Sequence, residues 1–191
     1  VEGLLRRHGD HEEEAAELLA LHAYNAGHWR QAWRWNRMAG DRARERHANP
    51  TAANNYRRAI EVAHHAGVDP ADLAHVHETL AEVLELAGGL REAAEALARA
   101  RRTSPDHDLP RLFRLEGRLR ERLGAYTQAV RWYRRGLRAL AEVEDPIEEA
   151  MLHAGLAIVR LDQGRPRDAL GHAAEALRAA DSSGDESALA R

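Results

Sequence analysis

Gly88-Gly89-Leu90-Arg91-Glu92-Ala93-Ala94 links two apolar-periodic segments, and its pattern decides the fold. A glycine turn is followed by an apolar residue, two polar residues, alanine and a further apolar or small residue. The pattern returns at Gly27-His28-Trp29-Arg30-Gln31-Ala32-Trp33, at Gly124-Ala125-Tyr126-Thr127-Gln128-Ala129-Val130 and at Gly164-Arg165-Pro166-Arg167-Asp168-Ala169-Leu170. A degenerate fifth copy stands at His47-Ala48-Asn49-Pro50-Thr51-Ala52-Ala53. Recurrence on this scale points to supersecondary units stacked one on the next.

Working outward, each copy sits between two helical patterns. Glycine ends the first helix because a left-handed backbone position carries no steric penalty without a Cβ. The apolar or aromatic residue two positions on plugs the corner, and small residues at the crossing points let the helix axes approach closely. The next packing positions follow at Tyr56 and Ala59, Leu97 and Ala100, Tyr133 and Gly136, and Ala173 and Ala176. Apolar-periodic helices precede the turns at residues 18–26, 73–87, 112–123 and 151–161. Pro50, Pro70, Pro105, Pro110 and Pro146 fall where helices start or stop, and Ser104 and Asp145 before prolines read as helix starts. An aspartate at Ala93 or Ala129 is expected to unfold the stack by burying a charge.

These residues resemble the tetratricopeptide repeat, and residues 74–105 match its consensus down to the closing proline. The spacing departs from the family's 34: Gly88 to Gly124 is 36 residues and Gly124 to Gly164 is 40. The resemblance implies an all-α fold, a right-handed α-solenoid of about nine antiparallel helices, with approximate repeats at 13–47, 33–67, 74–107, 110–144 and 150–184 of a single domain spanning 1–191. The helix from about 31 to 46 then belongs to two successive pairs, and Ser182-Ser183-Gly184-Asp185 opens a last helix. The opening stretch, with Glu12-Glu13-Glu14-Ala15-Ala16-Glu17-Leu18-Leu19-Ala20-Leu21-His22 running into Gly27-His28-Trp29 and then Ala39-Gly40-Asp41-Arg42-Ala43, is similar over about 60 residues to the helical array that follows the ATPase module of bacterial multidomain signalling ATPases, including fusions to adenylate/guanylate cyclase or LuxR-type DNA-binding domains. No ATPase or cyclase residue lies in this chain.

Composition agrees with long helices. Hydrophobic residues are 44% of the chain but aromatic residues only 5%, so the apolar share is mostly Ala and Leu. A mean hydropathy of -0.62 and the lack of a long uncharged apolar run argue against a membrane span. The chain begins with Val1 and shows no signal-peptide pattern, which reads as a segment excised from something longer. With 0 Cys, disulfides and thiolate metal sites are excluded, as suits a cytoplasmic protein. All 28 basic residues are arginine, the mark of GC-rich coding, yet the net charge of -3 gives no bulk attraction to nucleic acid.

No phosphate-binding loop, dinucleotide fingerprint or nucleophile elbow is present, so no enzymatic chemistry and no cofactor are expected. His64-His65 and His75/His77 are spaced by one and two residues, which points the rings of each pair apart and argues against a metal site. His8, His11, Asp106, His107 and Asp108 read as solvated loop residues. Trp29 and Tyr126 are corner plugs. Trp35 and Trp132 fall just beside core positions and read either as core filling, the favoured reading, or as exposed aromatic anchors for a partner.

The most informative polar pattern is on the helices that line the concave face in the resembling family. Arg111, Arg114, Arg118 and Arg122 recur at intervals of 3, 4 and 4, so they form one stripe. Matching positions of the preceding helix carry His75, Glu78, Glu82 and Glu85, and the one before offers Arg34, Arg37, Asp41 and Arg44. Two readings stay open: an intramolecular ion-pair ladder, or a groove in which arginines take acidic groups of a peptide. The expected function is a non-enzymatic interaction and regulatory module of a larger cytoplasmic signalling protein. It binds a protein, a peptide or a neighbouring domain through Arg34, Arg37, Arg111, Arg114 and Arg118 with Glu78 and Glu82. Reversing the charge of Arg114 and Arg118 is expected to abolish binding and leave melting nearly unchanged. The rivals are a small-effector sensor and a structural spacer that forms a homodimer.

Overall fold

The computed structural model describes residues 15–183. Among them are nine α-helices, two short 3-10 turns and no strand. The chain divides into two compact units, residues 1–104 and 105–191. His8, His11 and the helix expected after Gly184 lie outside the described residues.

The first unit contains α1 (Ala16–Asn25), α2 (Trp29–Glu45), α3 (Asn49–Ala66), α4 (Pro70–Leu86) and α5 (Leu90–Thr103). Each helix packs on the next along the chain, the arrangement of an α-solenoid, and α2 packs on both α1 and α3. That double packing explains why Trp33 and Trp35 are both buried although two residues turn a helix by about 200°. The second unit contains α6 (Leu109–Arg122), α7 (Tyr126–Ala139), α8 (Pro146–Asp162) and α9 (Pro166–Ser183). Here α6 pairs with α7, α8 pairs with α9, and α8 also rests on α6 and α7.

Six of the turns among the described residues are built alike. Five glycines, Gly27, Gly67, Gly88, Gly124 and Gly164, take positive φ. At each, two backbone bonds close the helix, as in Gly124 N–H to the Glu121 carbonyl and Ala125 N–H to the Arg120 carbonyl, both 2.8 Å. The α2–α3 turn makes the same bonds through His47 and Ala48, with His47 at a φ of 57°. Proline opens α4 and α8, where the preceding Asp69 and Asp145 accept the Ala71 and Glu148 amides at 2.8 and 2.9 Å. Ser104 differs from the expectation: its hydroxyl donates to the Ala100 carbonyl at 2.9 Å, so it closes α5 instead of opening a helix.

Ala32, Ala52, Ala93 and Ala129 are fully buried, as the repeated turn pattern requires. Leu112, Leu119, Leu152 and Leu156 fill the second unit with no exposed surface, each worth roughly 2–3 kcal/mol of burial. Size is matched across the crossings. Tyr56 lies on Gly40, Tyr133 lies between Gly117 and Gly155, and Leu152 lies on Gly136, where an added Cβ would come within 2.7, 2.6, 2.5 and 2.5 Å of the facing side chain.

Candidate functional site

The second unit carries an apolar hollow, a groove of about 690 Å³. Its floor comes from two stripes. One is Ile147, Met151, Ala154 and Ile158 on α8, at intervals of 4, 3 and 4; the other is Ala173, Ala176, Leu177 and Ala180 on α9. Helix α8 is therefore apolar on two faces. Leu152, Leu156 and Val159 are fully buried, whereas Ile158 is 49% exposed and Leu177 55%. Arg114, Arg118 and Glu121 of α6 and Tyr133 of α7 form the polar edge.

That edge is internally tied. Arg114 Nε donates to Glu148 Oε1 at 2.6 Å, and both side chains are largely buried. Burial lifts the Glu148 carboxyl above its ordinary range, and the Arg114 charge and hydrogen bond pull it part of the way back. Tyr133 donates its hydroxyl to Glu121 Oε2 at 2.9 Å. Burial raises the Glu121 carboxyl as well, against that hydrogen bond, and the Tyr133 phenol is pushed up by burial and by the Glu121 charge.

The expected arginine stripe is thus divided among tasks. Arg111 turns to Asp108 at 3.4 Å, beside a separate cleft, while Arg114 and Arg118 reach the groove. In the first unit Arg34 and Arg37 line an open cleft of about 420 Å³ with Trp33, Met38, Asp41, Arg42 and Glu45. The Arg34 guanidinium stands 4.8 Å from the Trp35 ring centroid. Arg44 and Glu82 approach to 3.9 Å across α2 and α4. Glu78 is buried, which corrects the expectation that it is displayed on a groove.

The aromatic pair also separates. Trp35 is 3% exposed and belongs to the core, so its reading as an exposed anchor is overturned. Trp132 is half-buried, stacked on Phe113 at 5.7 Å, with Arg135 at 4.6 Å from its ring centroid. Of the histidines, His65 stacks on Trp29 at 5.2 Å, His75 is exposed, and His77 is buried. The described residues hold no cluster of three or more His, Cys, Asp or Glu placed to hold a metal ion. Sequence reasoning missed the groove, although the stripe Ile147, Met151, Ala154, Ile158 was visible beside the buried one. It also missed a contact between His153 and His172, which nothing in the local sequence marks.

Solved structures resemble this architecture. BtubC (BKLC) from P. vanneervenii superposes with a TM-score of 0.75 at 15% identity, covering 93% of this chain and 77% of that one. A crystal structure of MamA gives 0.71 at 13% identity, covering 94% of both chains. A second MamA structure, MamA MSR-1 C2, gives 0.60 at 16% identity, covering 90% of this chain and 98% of that one. The likeness is one of fold. It is the all-α, tetratricopeptide-like class that the turn pattern predicts. No protein-family model matches the chain, and no curated protein sequence does. None of the described helices is long and apolar enough to cross a membrane.

Proposed function

We propose that the chain is a non-enzymatic protein-interaction module, and that the α8–α9 groove receives an amphipathic helix of a partner protein. The apolar groove, uncovered among the described residues, carries this reading. Within the second unit, α8 covers Tyr133 and Gly136 of α7 through Gly155 and Leu152. Forty residues later, Ala173 and Ala176 take the corresponding places on α9 and line the groove. The groove therefore repeats, one helix pair on, the seat that α8 already fills, and a seat of that shape fits a helix. Its polar edge sets Arg118 and Glu121 beside the Arg114–Glu148 pair, and suits an occupant that carries charged residues beside its apolar stripe.

The cleft at Arg34 and Arg37 is proposed as a second, separate contact for acidic groups. The similarity of the opening stretch to the arrays of signalling ATPases supports a regulatory place in a larger cytoplasmic bacterial signalling protein.

The test uses a synthetic helical peptide with Leu at intervals of 3 and 4 and Glu on the flanks. Its binding is followed through the isoleucine and methionine methyl signals of the chain. Shifts at Ile147, Met151 and Ile158, lost in Ile158→Glu and retained in Leu170→Glu, support the reading. Leu170 is 72% exposed and lies outside the groove, so it controls for nonspecific apolar binding. Binding unaltered by Ile158→Glu, or a concentration-dependent dimer that buries Ile158, overturns it.

A further inference from the structure

On the other side of the α8–α9 pair, a cleft of about 580 Å³ is lined by Arg134 of α7, His153 and Arg160 of α8, Arg165 of the connecting turn, and Asp168, Gly171, His172 and Glu175 of α9. Three guanidinium groups and two imidazoles face two carboxylates, and both carboxylates are engaged. Asp168 pairs with Arg165 at 2.6 Å, and Glu175 pairs with Arg178. That leaves Arg134 and Arg160 without a carboxylate partner among the described residues.

Arg160 is the unusual member. It is only 9% exposed, its one hydrogen bond is from Nη1 to Gln163 Oε1 at 2.8 Å, and its Nε is buried without an acceptor. Burial and the like charges of Arg165 and Arg134 disfavour the charged Arg160, and Asp168, already paired with Arg165, offsets them only in part, so an anion entering the cleft would relieve that repulsion. The cleft beside it is open to solvent, and at Gly171 an added Cβ would meet nothing within 4 Å. On the same wall, His153 Nδ1 and His172 Nδ1 stand 3.2 Å apart, so one ring donates to the other when both are neutral.

We propose that this cleft binds a doubly charged oxyanion, the phosphoryl group of a small phosphomonoester, with Arg160 and Arg134 supplying the charge and His153 and His172 supplying further donors. The fork of Arg160 is suited to such oxygens. A divalent cation is disfavoured there by the three arginines. The site is separate from the apolar groove and does not depend on its occupant.

The histidines give the site a pH signature. Burial holds the His153 imidazole below its ordinary range, against Glu149 on its own helix and Glu175 on α9, with Arg178 adding to the depression. Burial likewise lowers His172, helped by His153, Arg160 and Arg134 and opposed by Asp168. A bound dianion favours the protonated rings, so binding takes up protons and strengthens as pH falls.

The experiment is calorimetric titration of the full chain with sulfate, inorganic phosphate and phenyl phosphate, at ionic strength held constant with chloride. Sulfate remains a dianion throughout, so its pH dependence reports the protein. The expected result is one saturable site whose sulfate affinity rises several-fold between about pH 7.5 and pH 6. Arg134→Gln lowers it by about tenfold. Gly171→Glu, which places a carboxylate in the open floor without touching the core, removes it. Phenyl phosphate binding as tightly as inorganic phosphate supports the monoester; its exclusion overturns that assignment. No saturable binding at millimolar sulfate, or binding indifferent to Gly171→Glu, overturns the site.

Discussion

The ring of Tyr56 lies on Gly40 so closely that a methyl group there would stand 2.7 Å from Cε1, and Tyr56 donates its hydroxyl to the adjoining Asp41 at 2.6 Å. Gly117 and Tyr133 repeat the arrangement at the same separation of 16 residues. In the copy between them the positions are Ala81 and Leu97, both buried, and in the last copy Ala157 and Ala173. The small partner and the large partner therefore change together within one chain.

That matching predicts a double-mutant result. Gly40→Ala improves helix propensity by about 1 kcal/mol but overpacks the crossing, for a net loss of roughly 1–3 kcal/mol. Tyr56→Leu alone loses ring contacts and a hydrogen bond, for about 2 kcal/mol. Together they recreate the Ala81–Leu97 pair, so the double variant should be more stable than the sum by about 1 kcal/mol or more. Urea unfolding of the four proteins measures the coupling, and strict additivity contradicts the size-matching argument.

His47 gives the opposite sign. It holds the left-handed position that glycine occupies in five other turns, at a φ of 57°. An L-residue there is strained by roughly 1 kcal/mol, whereas glycine is not. Because glycine also adds freedom to the unfolded chain, His47→Gly should gain about 0.5–1 kcal/mol. A fall in the urea midpoint would show that the imidazole makes a contribution the turn geometry does not reveal.

How far the sequence could be read follows from the range of each cause. The turns were legible because every determinant lies within seven residues, and the fully buried Ala32, Ala52, Ala93 and Ala129 follow from them. The Gly40–Tyr56 and Gly117–Tyr133 pairs were also on the page, but only a comparison of copies at a fixed separation exposes them. Trp35 was ambiguous because its burial depends on α2 having a neighbour on each side. Arg111, Arg114, Arg118 and Arg122 all stand on α6, yet their division among tasks was hidden. Arg114 is occupied by Glu148, 34 residues on, and only the packed α6–α8 crossing brings them together.

Arg114 accordingly does not behave as a simple surface cation. Replacing it with Glu leaves two carboxylates facing each other at a largely buried contact, so a loss of about 3–5 kcal/mol is expected. Charge reversal at Arg114 and Arg118 therefore tests stability and binding at once, contrary to the expectation of unchanged melting. Arg114→Met paired with Glu148→Leu should recover most of the loss, since an apolar pair of similar volume removes the buried charges. A melting temperature for Arg114→Glu equal to the parent's would mean that the 2.6 Å contact is dispensable.

His77 predicts how stability varies with pH. The ring is buried on α4, its Nδ1 has no hydrogen-bond partner, and burial, aided by the Arg99 charge, lowers its pKa from 6.5 to about 4. The folded pKa lies below the unfolded one, so the unfolded chain binds more protons between these values and stability rises with pH there. The contribution is complete above about pH 6.5 and is lost as pH falls toward about 4. The full loss is at most about 3 kcal/mol. His153 and His172 are depressed too and add to the same slope, while the raised carboxyls of Glu121 and Glu148 oppose it. The difference between parent and His77→Leu isolates one ring. Urea unfolding at a series of pH values should show the parent losing up to about 3 kcal/mol more than the variant on acidification. Parallel pH profiles for the two proteins would mean that His77 ionises as readily in the folded chain as in the unfolded one.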